Sequence, residues 1–300
     1  MTHATPPWRH LLLALAVVAV WGTNFVVIKM ALAHLPPLLF AALRFALAFF
    51  PAVLFLPRPA ASVRNLVAYG LLIGVGQFAV LYIAMKGNIT PGLASLVIQT
   101  QVFFTIVLAM QVARERVRPY QWLALLLGAA GIAVIGAHTD GNTSGLGLLM
   151  VLAAAFSWAC ANMVSKRAGS INMLSYVVWS SAAAVPPLVA LSLLFEGWPA
   201  IEAGLRHADA LTWWAVAWQA VGNTLFGYAA WGWLLSRHAA ASITPMALLV
   251  PVFGMATASL MLAEPLPGWK LGAAALVLCG LGLNMLWPRV RGRFASGRSG

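Results

Sequence analysis

The chain has 300 residues, of which 62% are apolar and only 8% charged, and its formal net charge is +12. Soluble domains average roughly 45–50% apolar and about 25% charged residues, so an ordinary water-soluble enzyme is excluded, as is a disordered chain, which needs low hydrophobicity. A bilayer crossing takes about 20 residues, so with short loops this length holds about ten.

In chain order, apolar runs predict crossing helices over 11–33, 38–56, 66–85, 92–113, 120–137, 146–165, 173–195, 211–235, 241–263 and 268–287. Turn residues separate them: Pro36-Pro37, Pro57 with Pro59, Gly87-Asn88, Pro119, Gly141-Asn142, and Pro265 with Pro267. The crossings must be helices, because open strands leave backbone groups unsatisfied in lipid. The first run lacks a small-x-small cleavage site and reads as a retained span. Cys160 and Cys279 lie in apolar runs and read as small hydrophobes, not as a disulfide or metal pair.

The basic residues sit mainly between the runs. The N-terminal side receives Arg9, Arg58, Arg64, Arg114, Arg116, Arg118, Lys166, Arg167, Arg237 and the tail arginines 289, 291, 293 and 298. The other side receives Lys86, Arg206 and Lys270, while Lys29 and Arg44 fall inside runs. This asymmetry predicts a bacterial-type cytoplasmic membrane with both termini cytoplasmic, and it accounts for the positive charge without nucleic acid.

The two halves share spacings. Trp21-Gly-Thr-Asn24 stands before Lys29, and Trp158-Ala-Cys-Ala-Asn162 before Lys166, with eight residues from Trp to Lys in both. Glu115 precedes Gly131, and Glu264 precedes Gly280, by sixteen residues each. Ile89-Thr90-Pro91 and Ile243-Thr244-Pro245 echo each other at a different offset. Five runs precede the Asp140 turn, so the second half enters from the opposite face. This predicts an inverted repeat, with 9–137 as one five-helix unit, 145–288 as the other and 289–300 as a basic cytoplasmic tail. Such repeats place a binding site near the midplane, between the halves.

Trp21-Gly-Thr-Asn-Phe, the five-plus-five layout, and Glu115 and Glu264 opening the last hairpin of each half resemble the EamA type of the drug/metabolite transporter superfamily, over about residues 9–288. Within it, the abundance of Trp is similar to the YddG-type aromatic amino-acid exporters. The resemblance implies an all-α polytopic membrane protein of ten helices in two inverted five-helix repeats. It also implies a central cavity ringed by the first four helices of each half, alternating access and metabolite export. The ninth run has Pro251-Val252 where the fourth has Gln101-Val102, so the halves are not equivalent there.

No Asp or Glu lies near the centre of a run. This argues against a carboxylate proton relay, against a cation site built on a membrane carboxylate, and for passive facilitated export. The neutral polar residues are richer. Trp21 with Asn24, Trp158 with Asn162, Gln77 with Phe78 and Tyr82, Gln99 with Phe103, and Gln219 with Asn223 and Phe226 share helix faces at α spacing. Together they predict a substrate pocket of aromatic walls and amides suited to aromatic or other bulky neutral amino acids. Each amide has an equally weighted alternative role, bonding a neighbouring helix for roughly 0.6 kcal/mol.

Lys29 and Arg44 lie at similar depth, about 6–10 Å inside the outer boundary by helix rise, and are expected to snorkel or bind carbonyls. Lys29 is also a candidate exit-side charge for a substrate carboxylate. Pro91, Pro245 and Pro251 are hinge candidates.

An intramembrane enzyme is disfavoured, because all six histidines lie at or outside run ends and no metal-ligand spacing appears. No catalytic residue, metal or cofactor is expected. The expected partners are the lipid bilayer and a small neutral amino acid, with the protein a monomer or weak homodimer. An exporter with other cargo stays open. Nucleotide sugars are disfavoured, since no cation is expected at the centre.

Overall fold

The computed structural model describes residues 6–113, 118–138, 143–238 and 240–296. Glu115, Arg114, Arg116 and the Asp140 turn lie outside them. The described elements are helices: α1 (Trp8–Ala31), α2 (Pro37–Phe49), α3 (Val63–Gly87), α4 (Pro91–Gln111), α5 (Pro119–Ala137), α6 (Gly145–Arg167), α7 (173–196), α8 (Gly197–His207), α9 (210–237), α10 (Thr244–Leu262) and α11 (Gly268–Ser296). The protein is thus an all-α polytopic membrane protein.

Local sequence explains the starts. Prolines 37, 91 and 119 open α2, α4 and α5, where the missing N–H costs nothing. Ser62, Ser144, Asn172 and Asp209 cap α3, α6, α7 and α9, each accepting the N–H three residues on. At Asp209, the hydrogen bonds from the Thr212 hydroxyl and N–H hold the carboxyl below its ordinary range.

Among the described residues nine helices are long and apolar enough to cross a bilayer. The remaining expected crossing falls on α9, a helical run without a break. Its tryptophans (Trp213, Trp214, Trp218, Trp231 and Trp233) and amides Gln219 and Asn223 lower its mean hydropathy, because hydropathy scales price Trp and amides as polar. Its 210–237 run still spans roughly 40 Å at helical rise. The short helix α8, unexpected from sequence, starts at Gly197 with φ 79°. It carries a Glu202–Arg206 ion pair one turn apart.

Packing follows the repeat. α1 lies on α10, and its counterpart α6 lies on α4; α2 lies on α7, and α5 on α11. α9 contacts α1 and α2, as α3 contacts α6 and α7. Large apolar side chains cover the outside: Leu260 is 85% exposed and Phe55 81%. In water such a belt would be an aggregation surface; in lipid it is the solvated face. Cys279 is among the exposed residues, and Cys160 is half-buried.

Both halves leave α winding at matching places. α3 is π-wound over Leu72–Ala79, and α9 over Trp218–Phe226. α4 is 3-10 wound over Ile98–Thr100, and α10 over Thr244–Leu249. Windings of this kind recur at functional sites.

Close helix approach is decisive at Gly70, where a Cβ would fall on the Ser180 carbonyl oxygen of α7. Gly70→Leu must therefore push α3 off α7, at a cost of about 1–3 kcal/mol. The expected outcome is a lower melting temperature in detergent, while Gly272→Leu, which meets nothing, leaves it unchanged.

Candidate functional site: the seam between the halves

The π segments create the first cross-half contacts. π winding frees carbonyls from the ordinary ladder, and lipid offers them no donor. In α3, Leu72 O accepts from Ser157 Oγ of α6 at 2.7 Å. In α9, Asn223 O accepts from Trp21 Nε1 of α1 at 3.1 Å. The indole fits because position 227 is glycine; a Cβ there would collide with Trp21 Nε1. The halves thus make equivalent contacts with different residues. Thr224 Oγ1 bonds Gln219 O at 2.9 Å within its own segment.

Next to these lies a buried polar chain. Gln219 Nε2 donates to Asn24 Oδ1 at 2.6 Å, and Tyr82 OH donates to Gln219 Oε1 at 3.1 Å. Arg44 Nη1 donates to Tyr82 OH at 3.1 Å, and Nη2 to Thr224 Oγ1 at 2.8 Å. The guanidinium carbon stands 3.9 Å from the Phe78 ring centroid. Phe40 stacks on Tyr82 with centroids 4.7 Å apart. α1, α2 and α3 supply one side of the chain, and α9 the other. All five bonded side chains are buried: Gln219 and Tyr82 at 0%, Thr224 at 1%, Arg44 at 2% and Asn24 at 4% exposure.

Arg44 corrects the sequence expectation. It neither snorkels nor binds carbonyls, and it places a cation in the seam. Phe45 and Phe78 lie against its guanidinium and Tyr82 accepts from it, with Phe40 stacked behind Tyr82. Lys29 behaves as expected, donating to Met85 O at 3.1 Å and Lys86 O at 3.3 Å.

The other expected residues divide. Gln77 is buried beside Phe78, with Oε1 unpartnered. Asn162 Nδ2 donates to Gln101 Oε1 at 2.9 Å, joining α6 to α4. Gln101 was not among the expected site residues. Gln99 and Trp158 are half-buried. Phe103 packs instead against Gly128 of α5 and Gly280 of α11. Phe226 is 39% exposed, on the outside. Pro91 opens α4, Pro245 lies in the 3-10 segment of α10, and Pro251 stands at the start of that helix's α-wound part. An apolar groove of about 400 Å³ lies between α5 and α11, lined by Leu127, Val134, Trp269 and Leu276. Among the described residues no group of three or more His, Cys, Asp or Glu could hold a metal.

On the face opposite the N-terminus a buried carboxylate, paired with a lysine of its own half, accepts hydrogen bonds from the other half. Ala263 turns left-handed (φ 51°) and delivers Glu264 onto the start of α4. Glu264 Oε1 accepts from Thr90 Oγ1 at 2.5 Å and Lys270 Nζ at 3.0 Å, and Oε2 accepts from Gly92 N–H at 2.9 Å. The carboxylate also meets the positive end of the α4 dipole. Glu264 and Lys270 are both buried. Sequence placed Glu264 and Thr90 at the same face without linking them. The signal was there in the paired Glu and Thr-Pro motifs, but not the contact.

Glu264→Gln leaves the Lys270 ammonium buried without its anion, a loss of about 3–5 kcal/mol. The double variant Glu264→Gln with Lys270→Met removes both charges and should recover part of it. Melting temperatures of the three proteins check this; equal destabilisation by the single and double variants would contradict the pairing.

The EamA-like transporter family matches residues 8–137 and again 145–286. A probable amino-acid metabolite efflux pump of Salmonella typhimurium is 43% identical over 285 residues, covering 93% of this chain and 95% of the relative. A protein of the same description from Escherichia coli is 40% identical over the same shares. The uncharacterized transporter YoaV of Bacillus subtilis is 26% identical over 90% of this chain and 94% of its own length. One crystal structure, 19% identical, superposes with a TM-score of 0.60 over 94% of this chain and 99% of that one, which speaks to the fold alone. The family match recurs once in each half and spans nearly the whole helical chain, and from this it follows that the protein belongs to the EamA-like transporter family.

Proposed function

We propose that this protein exports small neutral amino-acid metabolites from the cell, bulky aromatic ones among them, by alternating access through the seam between its halves. The units are 9–137 and 145–288, with 289–300 as a basic tail. The near face, which carries the N-terminus, is cytoplasmic, as the distribution of Arg and Lys between the loops supports. Two relatives described as probable amino-acid metabolite efflux pumps support the cargo class.

The observation that carries the reading is the polar chain shared by both halves. Asn24, Tyr82 and Gln219 are uncharged, and an interhelical hydrogen bond in a membrane is worth roughly 0.6 kcal/mol on average. Such bonds can be exchanged for bonds to cargo at little net cost. At the far face the Glu264 carboxylate accepts from Thr90 and Gly92 of the opposite half, and hydrogen bonds to a charged group are worth about 1.5–3 kcal/mol each, so this contact is held more firmly. Trp21, Phe40, Phe78 and Tyr82 give the seam aromatic walls, against which an aromatic side chain packs once their mutual stacking is exchanged. Among the described residues no carboxylate bonds into the seam chain, which supports passive export down a concentration gradient.

Counterflow in proteoliposomes tests this. Preloaded unlabelled phenylalanine should draw in labelled phenylalanine faster than net uptake, and a proton gradient alone should drive no accumulation. Tyr82→Ala and Trp158→Ala should weaken the resistance of overproducing cells to toxic aromatic analogues at equal expression. Parental behaviour of Tyr82→Ala would remove the seam from the pathway, and that of Trp158→Ala would remove Trp158 from the cargo site. A reporter fused to the carboxyl tail should read as cytoplasmic, and one at the Asp140 turn as external.

A further inference from the structure

We propose that Arg44 is the carboxylate-binding group of the cargo site. This deepens the export reading above and rests on it. An arginine deep in a membrane protein is costly unless an anion or enough acceptors compensate it. Arg44 is buried, yet the acceptors it bonds are both neutral hydroxyls, Tyr82 and Thr224. Its Nε–H has no partner.

The acids nearest its end of the fold are committed elsewhere. Glu196 accepts the Leu38 and Leu39 N–H groups at 2.6 and 3.1 Å, capping the start of α2. Asp209 holds Thr212, and Glu264 holds Lys270. Among the described residues, none of the ion pairs includes Arg44.

A guanidinium has five N–H donors, and the hydroxyls take one from each terminal nitrogen. The unpartnered Nε–H and its neighbouring terminal nitrogen form the planar edge that receives a carboxylate through two parallel bonds. Neutral hydroxyls are the acceptors an incoming carboxylate can displace, because the carboxylate brings the opposite charge and a bidentate geometry that a hydroxyl lacks.

The position fits an exchange at the seam. Phe78, under the guanidinium, belongs to the π segment of α3, and Thr224 to that of α9. Arg44 therefore touches the rewound turn of each half. Beside it, Asn24 Oδ1 and Gln219 Oε1 are carbonyl acceptors within the same chain of bonds, suited to the ammonium of a zwitterion. The ligand class is an α-amino acid with a free carboxylate; the corresponding carboxamide lacks the anion.

The test is competition in phenylalanine counterflow by unlabelled phenylalanine and by phenylalaninamide, with wild type, Arg44→Lys and Arg44→Gln. Wild type should favour the acid at least about tenfold, the scale of one hydrogen bond to a charged group. Arg44→Lys should keep a reduced preference, and Arg44→Gln should bring the ratio towards one. Equal competition by acid and amide in wild type would overturn the assignment even if neither variant folds. An undiminished ratio in Arg44→Gln would do the same. Absence of phenylalanine counterflow, together with that of other neutral amino acids, in wild type would instead sink the export reading itself.

Discussion

Lipid donates and accepts no hydrogen bonds, so every polar group the chain takes into the membrane must be answered by another part of the chain. The seam is built on that constraint. Each π segment frees a carbonyl, and each is answered from the opposite half: Leu72 by Ser157, and Asn223 by Trp21. The amide and hydroxyl side chains close a second set of bonds across the same boundary, from Asn24 through Gln219 and Tyr82 to Arg44 and Thr224. The rest of the packing, including the glycines that let α3 and α9 approach their neighbours, holds these groups in register.

Two grades of contact divide the molecule along its depth. The far face is tied by a buried carboxylate with an ammonium, a hydroxyl and a helix N-terminus on it. The seam is tied mostly by neutral groups. The bonds that cross to Glu264, from Thr90 and Gly92, are made to a charged group and are worth about 1.5–3 kcal/mol each, whereas neutral interhelical bonds are worth roughly 0.6 kcal/mol on average. A structure of this kind rearranges in the middle more readily than at its far rim.

Much of this was legible in the sequence, and the failures share a cause. Apolar runs and turn residues located the crossings, and the cost of amides in lipid singled out Asn24, Gln219 and Asn223. Spacing arguments assume α winding throughout. Gln99 and Phe103 are four apart, but the 3-10 turn at Ile98–Thr100 rotates the remainder of α4, and Phe103 points towards α5 and α11. Phe226 closes a π segment, so its three-residue offset from Asn223 no longer means a shared face. Arg44 was misplaced for another reason. Depth along α2 can be counted in residues, but Phe78 and Tyr82 of α3 and Thr224 of α9, which hold the guanidinium inward, are far away in sequence. Helix α8 escaped notice because its start is a single glycine at positive φ.

If cargo crosses between the halves, the seam must open as it passes. Thr224 is sealed from both faces here, at 1% exposure, and cysteine, which lacks only its branching methyl and puts sulfur in place of the hydroxyl, fits the space. In a background lacking Cys160 and Cys279, the reaction of Thr224→Cys with a membrane-impermeant thiol reagent can be measured from either side of a vesicle. The account predicts slow reaction at rest and faster reaction from both sides while a neutral amino acid exchanges. A rate indifferent to exchange, or raised from one side only, would contradict it.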